Sequence, residues 1–424
     1  MDNPARPVIF TAMAGDPFPE SDVLIVGGSL NGAALALALA QAGLRVVVLD
    51  ALPRHVQADA AFDGRSYALA LASVRMLAAL GLWPVLAPDA QPIREILVSD
   101  GRAGEGASRF TMHFDQAELE EGPLGQMVED RRLRPVLLDA LDAEPRITHR
   151  PATRVRTQGT GPGTAWVELA DGERLAARVL VGADGRTGPT ATRAGIRRRV
   201  TDYGQSALVC AIAHEKPNNG VAHQFFMPSG PLAILPLKGD RSSIVWTESS
   251  DQAAAIQALD DDAYLAVLRP RFGDFLGRIT LAGARFTYPL NLTLAERFTA
   301  DRLALVGDAA RGVHPIAGQG LNAGLRDVAT LAEVLATAHR RGEDIGQADV
   351  LARYARWRRF DTATLAGATD LFNRIFSSDN PLLRLGRDLG MGLVNATPAL
   401  RRSFMREAAG LTGDAPRLLR GEPV

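Results

Sequence analysis

A chain of 424 residues with 46% hydrophobic content is long enough for two lobes around a sizeable buried core. Its 47 basic and 48 acidic residues nearly cancel, and no aromatic-basic array stands out, so nothing in the charge balance points to nucleic acid. The single cysteine, Cys210, excludes a disulfide framework and a thiolate metal site, suits a reducing compartment, and reads as core filler in a strand.

Residues 1–20 hold prolines and acids but no positively led apolar run, so they read as a loose extension and not as a secretory signal. The densely apolar stretch Ala33 to Ala42 is too short to span a bilayer and reads as a crossover helix, which makes the expected location cytoplasmic. Around it lies a βαβ unit. Asp22 to Val26 is strand-like, Gly27-Gly28-Ser29-Leu30-Asn31-Gly32 is a turn, an Ala/Leu helix runs to Gly43, and a second strand, Arg45 to Leu49, ends at Asp50. Glycines let the backbone approach a pyrophosphate, the helix N-terminus favours its charge, and an acid about 20 residues on accepts from ribose hydroxyls. Ser29 replaces the middle glycine of the G-x-G-x-x-G pattern, and its Cβ narrows the turn. Nicotinamide and flavin dinucleotides share this motif, so alone it does not choose between them.

Further along, Asp63-Gly64-Arg65-Ser66-Tyr67-Ala68-Leu69 precedes a helix ending near Gly81, and Ile93 to Ser99 and Phe110 to Phe114 alternate like strands. Val128-Glu129-Asp130-Arg131-Arg132-Leu133 opens a helix, with Asp130 a reasonable cap. Two short strands between Arg154 and Leu175 are expected to flank a turn at Gln158 to Thr164. Arg178 to Gly182 is another apolar strand and ends in Ala183-Asp184-Gly185. From 200 to 290 the chain becomes strand-like with short turns, and Ala207 to Ala213, Leu232 to Leu237 and Ser243 to Thr247 suit an antiparallel sheet, with Trp246 and Phe286 in its core.

The last motif is Arg302 to Val306, a buried strand, then Gly307-Asp308-Ala309-Ala310 and a loop, His314-Pro315-Ile316-Ala317-Gly318-Gln319-Gly320-Leu321-Asn322, opening a helix to about Leu335. In α/β proteins ligands bind outside the carboxyl ends of strands. Asp308 is placed to accept from a polyol, and Pro315 to Asn322 to lie against a flat ring. Two such motifs in one chain suit an extended FAD, one for its adenosine end and one for its ribityl end. Residues 346 to 411 read helical, with Leu382, Leu385, Leu389 and Leu393 on one face; packing on the catalytic body, on a partner, or on a membrane surface are all open there.

The stretch from His314 to Asn322, followed by Gly324-Leu325-Arg326-Asp327-Val328, resembles the second flavin motif of the group A aromatic hydroxylases, in the form found in ubiquinone-biosynthesis hydroxylases. The resemblance runs from about residue 20 to 410. It implies a para-hydroxybenzoate hydroxylase-like α/β fold: a Rossmann-like FAD lobe (21–90, 125–199 and 291–345), an inserted antiparallel substrate lobe with α+β character (91–124 and 200–290), and a C-terminal helical region (346–424). It implies FAD held by Gly27, Gly28, Ser29, Gly32, Asp50, Arg65, Arg131, Asp184, Gly185, Gly307, Asp308, Pro315, Gly318, Gly320, Leu321 and Asn322. Arg131 is the residue matched to the pyrophosphate.

The implied reaction is hydroxylation of a polyprenylated phenol through a flavin C4a-hydroperoxide. O₂ and NAD(P)H or a protein reductant are its partners, alongside other ubiquinone-biosynthesis proteins. The backbone of Pro315, Gly318, Gln319 and Gly320 would position flavin and peroxide, and Tyr203, His223, Gln224 and Tyr288 are the polar candidates on the substrate wall. No metal-spaced histidine cluster or Ser-His-Asp order competes with this reading. Three departures from the family pattern stand out: Arg311 in place of a histidine, Asp130 in place of an asparagine, and Gly188 and Ala191 in place of a serine and an arginine, with Arg186 and Arg193 displaced. Hydroxylation of another small aromatic, or a flavin-holding subunit without catalysis, are the alternatives.

Overall fold

The computed structural model describes residues 21–59, 64–104, 106–312, 319–358 and 394–424. The expectations for residues 1–20, His314, Pro315, Gly318 and the leucines 382, 385, 389 and 393 lie outside that set.

Runs of Val, Ile and Leu without alternation make strands buried on both faces, and these form the parallel heart of one lobe. Leu303–Leu305, Arg174–Gly182, Ser21–Val26, Val46–Leu49 and Ile147–Arg150 lie side by side in that order, all parallel. Every strand therefore delivers its carboxyl end to one edge, where Gly27, Asp50, Ala183 and Val306 emerge. The helix Leu30–Gln41 is buried almost all round. Its alanines let the helices Gln319–Arg340 and Asp130–Ala143 approach closely.

The expected turn at Gln158 to Thr164 is mostly strand. Val155–Gly161 and Thr164–Leu169 form a hairpin on the edge of Arg174–Gly182, leaving only Pro162 and Gly163 between them. Gly159 misled the reading because it serves packing: a Cβ there would meet Trp166 Cζ2 at 2.5 Å.

A nine-stranded sheet forms the other lobe, in the order Arg311–Gly312, Phe286–Ala295, Arg198–His214, Arg241–Ser249, Gly230–Leu237, Val221–Met227, Glu95–Arg102, Gly106–Asp115, with Ile279–Leu281 paired to Arg198–His214. The sequence reading made 200–290 strands and turns; the structure adds two helices, Ser250–Gln257 and Asp261–Phe272. Each has a side-chain cap, Ser249 accepting from the Gln252 N–H and Asp260 from the Ala263 N–H at 2.8 Å. They cover one face of the sheet, where Leu208, Cys210, Ile234 and Trp246 pack with Tyr264 and Leu268. The opposite face turns towards the small sheet of Ser66–Ala70, Gly125–Glu129 and Gln91–Ile93, and there Ala211, Ala222 and Leu237 pack with Ile93, Met127 and Met405.

Asp327, on the long helix Gln319–Arg340, is wholly buried. Its carboxylate accepts from Arg311 Nη2 at 2.9 Å, Arg358 Nε at 2.7 Å and the Gly307 N–H at 3.1 Å, and both arginines are buried with it. Arg311, the departure from the family's histidine, is thus one arm of a buried cluster. Among the described residues no single helix is long and apolar enough to cross a membrane. Removing one partner from a buried ion cluster strands the remaining charges, which costs about 3–5 kcal/mol. Asp327→Ala is expected to lose stability on that scale in denaturant titration, and a loss below about 1 kcal/mol would mean the two guanidiniums are held by something else.

Candidate active site

The glycine turn is built to standards that only glycine meets at two positions. Gly27 has φ +106°, and a Cβ on it would sit 2.3 Å from the Ala183 carbonyl; at Gly32 a Cβ would lie 1.8 Å from the Gly27 carbonyl. Asp50, buried at the end of its strand, accepts from the Gly28 N–H and the Leu52 N–H, both at 2.8 Å. Ser29 precedes the helix Leu30–Gln41 without capping it, and the first turn of that helix holds no acid. The Ser29 hydroxyl instead accepts from Arg134 Nη1 at 2.8 Å.

Arg134 belongs to a knot around Asp130. The Asp130 carboxylate is buried and receives Arg134 Nε at 3.0 Å and Nη2 at 2.8 Å, the Tyr67 hydroxyl at 2.9 Å and Arg65 Nη2 at 3.3 Å. Burial first, and then the adjacent carboxylate, push the Tyr67 phenol well above its ordinary value. Asp130 does not cap its helix. Arg65 therefore joins the knot through Asp130, whereas Arg131 turns to Glu129 at 2.5 Å, which also takes Arg241 from the large sheet at 2.8 Å. The arginine on the turn is Arg134, one helical turn beyond the residue matched by resemblance. The i, i+4 spacing of Asp130 and Arg134 was the available signal.

At the second motif Gly307 has φ +60°, and a Cβ on it would meet Asn31 Nδ2 at 2.3 Å; Gly324 meets the same amide at 2.5 Å. Asn31 thus wedges the first helix against the second flavin motif. Asp308 keeps its carboxylate partly open and accepts from Arg186 Nε at 2.9 Å. Arg186 follows Asp184 and Gly185, so the displaced arginine links the two acidic loops. Asp184 accepts from the Thr190 N–H at 2.9 Å, and Gly185 has φ +78°.

A Cβ at Gly188 would lie 2.1 Å from Asp184 Cγ, so the loop demands glycine there; Ala191 is buried, and Arg193 donates to the Val155 carbonyl. Gln319 and Gly320 start the long helix, and Leu321 packs on the main core. The Asn322 side chain ties that helix to the small sheet, donating to the Ala68 carbonyl at 2.8 Å and accepting from the Ala70 N–H at 2.9 Å and the Ser73 hydroxyl at 2.8 Å.

Strand register sorts the four wall candidates. Phe286, Val209, Val245, Ala233, Gln224 and Val98 form one row across the large sheet, through the pairs Val209 with Phe286, Val209 with Val245, Ala233 with Val245, Gln224 with Ala233 and Gln224 with Val98. The row lies on the face turned towards the first lobe, and the Phe286 ring abuts Gly64. Most of the row is only half-buried, while the alternate residues Leu208, Leu232, Ile244 and Trp246 are sealed under the helices. Tyr288, paired with Ala207, shares the row's face and is exposed; Tyr203 sits in a bulge between Asp202 and Gln205.

His223 does not belong to this wall. Successive strand residues point to opposite faces, and His223 packs instead on Phe275 at 4.3 Å and Phe225 at 5.9 Å, on the helix side. Cys210 also lies on that side, its thiol pushed up to about 11 by burial, which leaves no thiolate for nucleophilic work. Among the described residues no group of His, Cys, Asp and Glu could hold a metal ion.

A parallel sheet presenting a glycine turn and the acids Asp50, Asp184 and Asp308 at one edge, roofed by an antiparallel sheet with a half-open apolar row, defines the architecture of a flavin-dependent ring monooxygenase. The chain belongs to the family described as the FAD binding domain, which matches residues 20–364, and FAD is its cofactor. It is 45% identical to the ubiquinone hydroxylase UbiL of Rhodospirillum rubrum, over 95% of this chain and 94% of that one. With the 3-demethoxyubiquinol 3-hydroxylase of Escherichia coli it shares 36% identity, over 92% and 99%. Among solved structures, the p-nitrophenol 4-monooxygenase PnpA from Pseudomonas putida DLL-E4 superposes with a TM-score of 0.77 at 19% identity, covering 93% of this chain and 98% of that one, a likeness of fold. The residues present fit the cofactor: the close backbone of Gly27 and Gly32, an uncapped helix N-terminus without acids, and a guanidinium beside it together suit a pyrophosphate.

Burial pushes the His223 imidazole down from 6.5 to about 4. Between those values the unfolded chain binds the proton that the folded one refuses, so stability rises with pH through that window and is lost as pH falls. His223→Phe is expected to flatten this part of the pH dependence, measured as denaturation midpoints at about pH 7, above the window, and about pH 5, inside it. Equal slopes for both proteins would show that the ring is solvated in the native state.

Proposed function

We propose that the protein hydroxylates the aromatic ring of a polyprenylated phenol in ubiquinone biosynthesis. The observation that carries this reading is the half-open apolar row facing the first lobe, in a chain similar over nearly its full length to a ubiquinone hydroxylase and a 3-demethoxyubiquinol 3-hydroxylase. FAD, when bound and reduced by NAD(P)H or a protein donor, would supply the electrons that activate O₂, of which one atom enters the ring and the other leaves as water.

The chain's own residues bind, orient and exclude water. Arg134 and the N–H groups opening the helix Leu30–Gln41 hold the pyrophosphate, with Arg65 beside them, and Asp50 takes the ribose of the adenosine end. Asp308 accepts from the ribityl hydroxyls, its carboxylate oriented by Arg186, and Asp184 with Gly185 closes the loop between the two ends. The backbone of Gln319 and Gly320, which opens the long helix, would face the ring of the bound flavin.

The row from Phe286 to Val98 holds the phenol and its tail and keeps water from the reacting edge, where solvent would divert the oxygen to peroxide. A polyprenyl tail keeps such a substrate in a bilayer, so a cytoplasmic enzyme would meet it at the inner face of the membrane. A catalytically idle flavin subunit, for which Ser29, Gly188 and Ala191 would speak, has less in its favour, since Gly188 answers a packing demand and Ser29 receives Arg134.

The test is O₂ uptake by the purified FAD-loaded protein with NAD(P)H and a farnesylated phenol, with mass spectrometry of the ring product. Uptake coupled to a product one oxygen heavier supports the reading, and uptake indifferent to the phenol sinks it. FAD affinity checks the cradle separately. Losing a charge-assisted hydrogen-bonding group costs about 1.5–3 kcal/mol, roughly 10- to 150-fold in Kd. Arg134→Ala is expected to weaken FAD by that much in a fluorescence titration, and Arg131→Ala by less than about threefold; the reverse order would return the pyrophosphate to Arg131.

A further inference from the structure

The apolar row is interrupted by one carboxamide. Gln224 Nε2 is sealed from solvent and has no hydrogen-bond partner among the described residues. The amides of Gln57, Gln158, Gln205 and Gln257 each donate to a main-chain carbonyl, even where, as in Gln57, Gln158 and Gln257, the amide oxygen is buried without a partner; Gln224 differs in that its nitrogen is the idle atom. Its row neighbours, Ala233 and Val98, are apolar and offer it nothing. An unpaired buried N–H is unfavourable, and it persists where a ligand completes it.

We propose that Gln224 orients the substrate ring by hydrogen-bonding its phenolic oxygen, and so determines which ring carbon faces the flavin. The inference rests on the ring-hydroxylase reading above and assigns its orienting residue. A phenolic hydroxyl both donates and accepts, so it satisfies either rotamer of the carboxamide. The division of labour follows from chemistry. The apolar row and the tail supply undirected attraction, which leaves the ring free to turn, and a single polar anchor in an apolar wall removes that freedom. His223 cannot serve, because it lies on the far face, and Tyr288 lies in another row and is exposed.

The experiment compares the FAD-loaded wild type with Gln224→Met, which keeps the volume and removes both polar atoms. Two probes are titrated against the flavin absorbance: a farnesylated phenol and the same molecule lacking the ring hydroxyl. The wild type is expected to prefer the phenol by on the order of tenfold, and Gln224→Met to bind both alike, with its ring product spread over more than one position by mass spectrometry and NMR. The melting temperature of the variant without substrate is expected to match or exceed that of the wild type, since an unpaired amide has been removed; this readout separates lost orientation from a damaged fold. A Gln224→Met protein that still prefers the phenol tenfold and hydroxylates a single carbon would overturn the assignment. Failure of the wild type itself to bind either probe would overturn the substrate reading, and this one with it, before the variant is considered.

Discussion

A carboxylate without exposure to water, Asp327, fastens the end of the molecule at which the second flavin motif lies. Three segments distant in sequence donate to it: the Gly307 N–H at the end of a central strand, Arg311 on the short strand that joins the large sheet, and Arg358 from the helical region beyond residue 346. A buried anion of this kind is tolerable only when fully surrounded by donors, and that requirement couples the positions of all three. Asp308 follows Gly307 directly. The half-open Asp308 carboxylate is therefore placed through Gly307 by a network of which it is not itself a member.

The glycine turn of the first motif is held on the same principle. Asp130 is as thoroughly buried as a carboxylate can be while serving two guanidiniums and a phenol. Two departures from the family pattern, Ser29 and Asp130, are best understood together. A serine hydroxyl in the turn gives Arg134 a partner, and a carboxylate in place of an amide balances the charge that Arg134 and Arg65 bring. Either change alone would leave an arginine beside the glycine turn with less to hold it. Asp130 also stands in the first turn of its own helix, where an acid is favoured by the helix dipole.

The parts of this architecture legible in the sequence are those that local chemistry dictates. Unbroken apolar runs mark doubly buried strands, and glycines at Gly27 and Gly32 mark backbone contact closer than any side chain permits. What escaped depends on partners that sequence proximity does not name. Arg131 and Arg134 are equally basic, and only the helix's rotation decides that one meets Glu129 and the other Ser29. The helices Ser250–Gln257 and Asp261–Phe272 are short and weakly patterned, yet their packing on Trp246 and Leu208 stabilises them. Gly159 looked like a turn because a glycine that makes room for an indole is indistinguishable, in sequence, from one that bends the chain.

The same limit explains why His223 and Gln224 could be grouped together. Strand alternation guarantees that two neighbours face opposite ways, but which of them faces the flavin follows from which side the helices cover. Once that side is known, the two faces of one sheet divide the physical work. The covered face carries the large, sealed side chains, Trp246 and Tyr264 among them, and supplies the rigidity. The open face carries a mixture of small and large residues, from Ala233 to Phe286, that are mostly half-buried. Gln224 belongs to that half-open face and His223 to the sealed one, so two neighbours in sequence meet different surroundings, an amide nitrogen left unpaired in an apolar row and an imidazole packed on aromatic rings.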